Sequence, residues 1–278
     1  MRSERGATLT RLLTAIPLLA VFALLIWVPQ AAFLYVLAVA AFVAIGVREY
    51  ANMSAARGID MATPAVLIGV VALVLNAWFE PVPFTQGLVF TAGVLLIAVW
   101  HLFAGKHTLL GFAVSVLGLV YLGWLPATFV SLHQFTPIGP GLVTLAIVAV
   151  GLSDTGAYFV GSAIGRHKMA PAVSPKKSWE GAAGGLVFAV LGLGACYLIA
   201  RQTGWAIWPG WVLWQFLLVG ALLSVAGQIG DLVESMLKRD AGVKDSGSIF
   251  PGHGGVLDRC DGFIFAAPVL YYLVADFW

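Results

Sequence analysis

Apolar runs broken by short polar punctuation recur from one end of this 278-residue chain to the other. Nine of them have cores at 11–28, 31–47, 64–79, 87–103, 109–132, 140–163, 182–200, 212–236 and 262–276. A helix needs about 20 residues to cross a hydrocarbon core ~30 Å thick, so each run reads as a membrane span. The breaks are helix stoppers: Val28-Pro29-Gln30, Glu80-Pro81-Val82-Pro83 and Pro137-Ile138-Gly139-Pro140. The runs lack the two-residue alternation of a lipid-facing barrel, and an open sheet leaves backbone groups unpaired in lipid. The pattern therefore predicts an all-α fold, a polytopic transmembrane bundle of about nine spans.

Composition agrees: 60% of residues are hydrophobic and 10% charged, against about 25% charged in soluble domains. Basic residues favour the cytoplasmic side. With the N-terminus inside and the C-terminus outside, Arg2, Arg5, Arg11, Arg48, Arg57, Lys106, Arg166, Lys168, Lys176, Lys177, Lys238, Arg239, Lys244 and Arg259 all fall inside, and Arg201 alone falls outside. Adding or removing one span would reverse every later loop and spoil this asymmetry. The first run reads as a retained helix, since a second follows directly and no small-residue cleavage site is clearly placed. Cys196 lies in a span and Cys260 beside a charged run, which argues against a disulfide between them. The whole chain reads as one membrane domain, with residues 1–135 mainly scaffold and 140–278 carrying the chemistry.

The chemistry is marked by charge. Between Ser235 and Asp261 stand Lys238, Arg239, Asp240, Lys244, Asp245, Asp258, Arg259 and Asp261, with Asp231 and Glu234 just upstream. Ionisable groups resist transfer to hydrocarbon, so such a concentration at the foot of a bundle implies use. Ser224, Gln228, Asp231, Ser235 and Lys238 share one helix face by spacing. The plain alternative for this stripe is a hydrogen-bonded seam between helices. Asp258 and Asp261 share a first turn if the last helix begins near Leu257; with Asp231 they make a carboxylate set suited to a hard divalent cation. The alternatives for Asp258 are a helix cap and an ion pair with Arg259. Pro251-Gly252-His253-Gly254-Gly255 is a tight turn able to bring backbone close to a ligand. No Walker A loop occurs, which removes that nucleotide-binding reading.

A second segment, Ser153 to Gly181, adds Asp154 and Tyr158 one turn apart, Gly161 and Gly165 for close helix packing, and Lys176 and Lys177 before Trp179. Asp154 is an intramembrane acid. The lysines also read simply as a positive-inside loop. Carboxylates for a cation, and basic groups for phosphates at the cytoplasmic interface, point to joining a soluble nucleotide to a lipid phosphate.

Ser235, Lys238-Arg239, Lys244-Asp245, Pro251, His253-Gly254-Gly255, Asp258-Arg259 and Asp261, in this order and spacing, closely resemble the C-terminal motif of the phosphatidate cytidylyltransferases. Asp154-Thr155, Ala157-Tyr158, Gly161, Gly165 and Ser174 to Gly181 also resemble that family; Cys260 departs from it, standing where an apolar residue is usual. The resemblance implies attack of phosphatidic acid on CTP with Mg²⁺, a second cation being compatible, in the bacterial inner membrane with the site facing the cytoplasm. It implies metal carboxylates at Asp231, Asp258 and Asp261, and further catalytic groups at Lys238, Arg239 and His253. Substrate contacts fall to Lys176, Lys177, Ser178, Lys244, Arg259, Asp154 and Tyr158. A homodimer is implied, and no nucleic-acid partner. Three other readings stay open: a cytidylyltransferase for an isoprenoid lipid phosphate, an ion-coupled transporter using Asp154 and Asp231, and a CDP-alcohol phosphotransferase. The last is disfavoured because Asp261-Gly262 is not followed by its pattern.

Overall fold

The computed structural model describes residues 21, 23–79, 83–104, 107–249 and 254–277. Among them the architecture is a bundle of eight helices: α1 (Ala32–Ala56), α2 (Thr63–Phe79), α3 (Pro83–Phe103), α4 (Leu109–His133), α5 (Gly139–Ile164), α6 (Trp179–Thr203), α7 (Leu213–Asp240) and α8 (Leu257–Phe277). The predicted span 11–28 lies mostly outside the described residues; helix is described at 21 and 23–27.

Among the described residues six helical stretches are long and apolar enough to cross a membrane, and α2 is a shorter apolar helix. The chain is thus a helical, multi-pass membrane protein. The 21-residue α8 is not among the six; Asp258, Arg259 and Asp261 stand at its start. Outward faces are oily, as lipid contact requires: Ile68, Leu95, Leu102, Phe159, Leu191 and Leu198 are all exposed.

Helix ends follow local chemistry. Thr108 accepts a hydrogen bond from Gly111 N at 3.1 Å and starts α4, while Ser178 accepts from Gly181 N at 3.2 Å and starts α6. Gly204, at φ 61°, ends α6 in the left-handed conformation that glycine adopts without penalty. A π turn at Val120–Trp124 interrupts α4. Several helices run past the apolar runs that predict them. α1 continues through Arg48 and Glu49 to Ala56, and α8 begins at Leu257, ahead of its apolar core.

One element departs from the all-α expectation. Residues Lys168–Ala170 (β1) and Ser174–Ser178 (β2) form an antiparallel hairpin between α5 and α6, with Lys168 opposite Ser178. Glu180 anchors its base, accepting from the backbone N–H groups of Arg166 at 3.1 Å and His167 at 3.2 Å and from the His167 ring at 2.5 Å. Helix–helix contact is heaviest for α5 with α6, α7 with α8 and α6 with α7, so the last four helices form one tightly packed half.

Candidate active site

The polar stripe on α7 divides at Gln228. Above that point it is a seam: Ser224 Oγ lies 2.7 Å from Ser153 Oγ on α5, and Gln228 Nε2 donates to Ser224 Oγ at 3.0 Å and to Ala182 O on α6 at 3.2 Å. These bonds satisfy polar groups that lipid cannot. Below it, Asp231, Glu234, Ser235 and Lys238 turn to charge chemistry.

Close backbone approach sets the geometry. A Cβ at Gly230 would strike the Asp261 carbonyl oxygen, so only glycine lets α8 cross α7 here, one residue from Asp231. Likewise the start of α6 packs closely on α5: a Cβ at Gly181 would lie 2.9 Å from the Ala157 carbonyl oxygen and 3.2 Å from Gly161 Cα. As a result Asp154, Asp231 and Asp261, from three helices, interact through their charges. Lys177 at the end of β2 forms an ion pair with Asp231, and both Lys177 and Arg259 interact electrostatically with Asp154. Asp261 Oδ1 accepts from the N–H of Gly262 at 2.7 Å. These five residues form the charged centre of the candidate site.

Other expected residues have different surroundings. Lys238 Nζ is held between two carboxylates, 2.5 Å from Glu234 Oε2 and 2.6 Å from Asp258 Oδ1, and Glu234 is fully buried. Asp258 Oδ2 accepts from Ser246 N and Gly255 N, each at 2.8 Å. Both oxygens of Asp258 therefore tie the α7–α8 connection together, as a cap and an ion pair do. Arg239 donates to the backbone oxygens of Val173 at 3.2 Å and Val243 at 3.1 Å, fastening the end of α7 to the hairpin. Ser178 is buried as the α6 cap. Tyr158 is exposed, edge-on to Phe159. Lys176, Lys244 and Arg259 are exposed. His253 lies outside the described residues. Among the described residues no group of three or more His, Cys, Asp or Glu side chains is arranged to enclose a metal ion.

Sequence reasoning passes over Glu49. It is buried on α1, yet its carboxylate reaches the start of α8: Oε1 accepts from Val256 N at 2.9 Å, and Oε2 from Leu257 N at 3.0 Å and Ser246 Oγ at 2.9 Å. Glu49 is thereby the N-terminal cap of α8, supplied by another helix. Its only signal in the sequence is an acid beside Arg48 at the end of an apolar run.

Beside the charged centre opens an apolar cavity of about 250 Å³. Tyr35 and Val39 of α1, Phe129 of α4, Ile147 of α5 and Phe263 of α8 line it, and Arg259 stands in its wall.

The sequence profile described as "Cytidylyltransferase family" matches residues 9–277. The chain belongs to the cytidylyltransferase family. Among its relatives, a phosphatidate cytidylyltransferase of Synechocystis sp. is 35% identical over 85% of this chain and 87% of its own length. One from Staphylococcus saprophyticus is 32% identical over 83% of this chain and 85% of its own. One from Bacillus subtilis is 43% identical over a shorter stretch, 58% of this chain and 57% of its own. Membership fits what the fold has already brought together, since the Asp231, Asp258 and Asp261 regions converge at one end of the bundle.

Proposed function

We propose that this chain transfers the cytidylyl group of CTP to phosphatidic acid, giving CDP-diacylglycerol and pyrophosphate, as an integral enzyme of a bacterial inner membrane. The observation that carries the reading is the juxtaposition of an acidic cluster, with Lys177 and Arg259, and an apolar cavity that shares Arg259. A lipid phosphate has one charged end and one oily end, and this site has both. Polyanions at the mouth meet cations, while apolar walls take up hydrocarbon.

The chemistry asks little of a general base. A phosphate monoester has a second pKa of about 6, so its oxygen is substantially ionised at neutral pH. That oxygen attacks the α-phosphorus of CTP, and the bond to the β-phosphate oxygen breaks with its electron pair leaving on pyrophosphate. Two polyanions must then be held together and in line. In this reading Arg259 binds the lipid phosphate, and Lys177, paired with Asp231, receives the triphosphate with help from Lys176 and Lys244. Asp154, Asp231 and Asp261 would supply hard oxygen donors whose mutual repulsion a divalent cation relieves; they do not close a three-acid site, and one or two of them would hold Mg²⁺ together with water and the substrate phosphates. When bound, Mg²⁺ neutralises charge on the phosphates and the departing pyrophosphate. Asp258 acts by fixing Lys238 and the loop before α8.

Nine spans, an inside N-terminus and a cytoplasmic site belong to the same proposal. They are supported by the clustering of basic residues at one end of the bundle. The ion pair of Arg57 with Asp240 at 3.3 Å joins the ends of α1 and α7, Arg239 reaches the hairpin, and Glu49 reaches α8. Arg201 stands at the far end of α6. A homodimer, implied by the family resemblance, is checked by the mass of the particle in detergent.

The test is an assay of purified protein with labelled CTP, Mg²⁺ and phosphatidic acid, reading lipid-soluble cytidine product. A parallel arm uses a polyprenyl phosphate in place of phosphatidic acid. Product with phosphatidic acid is expected, and Asp231→Asn and Asp261→Asn are each expected to lower turnover about 10²–10³-fold, the scale of losing a major electrostatic contact. Product only with the polyprenyl phosphate, or near-normal rates for both variants at every Mg²⁺ level, would overturn the substrate or the metal assignment respectively.

A further inference from the structure

Glu49 belongs to a helix of the scaffold half, outside both motifs that carry the family resemblance. Nevertheless its carboxylate is the point on which the connection between α7 and α8 closes. Ser246 binds it from one side of that connection and Val256 and Leu257 from the other, at 2.9, 2.9 and 3.0 Å. The chain there is shaped to receive it. The three atoms nearest a Cβ at Gly247 would all belong to Glu49, with Cδ at 2.9 Å and Cγ at 3.2 Å, and a Cβ at Gly255 would strike both the Ser246 hydroxyl and the same carboxylate.

The contact is specific to a carboxylate. The two backbone N–H groups are obligate donors, one to each Glu49 oxygen, which an ionised acid accepts at both and an amide of the same shape does not; the single Ser246 hydroxyl proton is shared between Glu49 Oε2 and Asp258 Oδ2. A glutamine would turn its NH₂ toward one of the two backbone N–H groups. Val256 and Leu257 are at the start of α8, where backbone N–H groups have no intrahelical acceptor. Asp258 is the next residue, and Asp261 stands one turn on. The position of those two side chains along α7 therefore depends on where α8 begins, and Glu49 fixes that point.

We propose that Glu49 is a positioning residue for cytidylyl transfer, holding the N-terminus of α8 so that Asp261 lies beside Asp231 and Asp258 stays on Lys238. The inference rests on the activity proposed above for its kinetic arm alone; a second arm reads the contact directly.

The experiment compares Glu49→Gln, Gly247→Ala and the wild-type protein in detergent. It measures kcat and KM for CTP per folded molecule, thermal stability, and amide hydrogen exchange of peptides covering 254–258. Glu49→Gln is expected to lower kcat at least tenfold while KM for CTP stays within about threefold, and to speed exchange in 254–258 without comparable change in α2 or α3. Gly247→Ala keeps the charge and wedges the carboxylate out of its seat, so it is expected to reproduce both effects. In a Glu49→Ala background it is expected to add little, because its clash has been removed. If Glu49→Gln does not fold, Gly247→Ala decides the matter. Exchange at wild-type rates, or a loss of folded protein with unchanged kcat per folded molecule, overturns the proposal. If the wild-type protein makes no CDP-diacylglycerol but Glu49→Gln still speeds exchange, the activity is wrong and the anchoring stands.

Discussion

The two halves of the bundle bury different things. From α1 to α4 the interior is packed hydrocarbon around Leu73, Ile97 and Leu119, and apart from Glu49 its buried polar groups are hydroxyls and histidines, bonded as Ser115 Oγ is to Gly111 O at 2.7 Å. From α5 to α8 the interior includes the Ser153–Ser224–Gln228 seam and the Glu234–Lys238–Asp258 chain of charges. The difference supports a division of labour in which, under the proposed function, one half supplies shape and the other chemistry. Glu49 is where the first reaches into the second, and three experiments sharpen or break that division.

The largest effect is expected from Lys238→Met. It leaves Glu234, fully buried, and Asp258 without their shared cation. Breaking a buried pair by removing one partner costs about 3–5 kcal/mol, so a marked fall in melting temperature and loss of turnover are expected. A variant as stable as the parent would mean that the charged chain is not what joins α7 to α8. Next comes Leu73→Ala in α2, at a side chain with no exposure. A cavity there is expected to cost roughly 2–5 kcal/mol, yet to leave kcat per folded molecule unchanged; a changed kcat would break the separation of halves. Smallest is Lys176→Ala, at an exposed lysine of the hairpin. A rise of a few fold in KM for CTP, relieved at high salt, is expected; unchanged kinetics would return this lysine to a purely topological role.

Much of the site was legible because its residues are close in sequence. Asp258 and Asp261 share a first turn on the condition that the last helix begins near Leu257, and α8 begins there. The spacing along α7 anticipated one polar face, though not that Gln228 divides it into a structural part and a reactive part. The hairpin at 168–178 was missed because its pairing follows from Glu180 gathering backbone donors, which no hydropathy pattern records. Lys238 reads as a phosphate ligand in a basic pair, and only the fold encloses it between two acids. Glu49 was illegible for a different reason: its Val256 partner is 207 residues away along the chain, and an acid next to Arg48 looks like an interfacial charge.

The enclosed trio of Glu234, Lys238 and Asp258 bears on how the protein enters its membrane. α8 lies outside the set of helices apolar enough to cross by themselves, and its acidic foot is matched by an ammonium group on the preceding helix. Its transfer into lipid is therefore expected to be easier beside α7 than alone, because the two segments entering as a hairpin bring one ammonium group to offset two carboxylates.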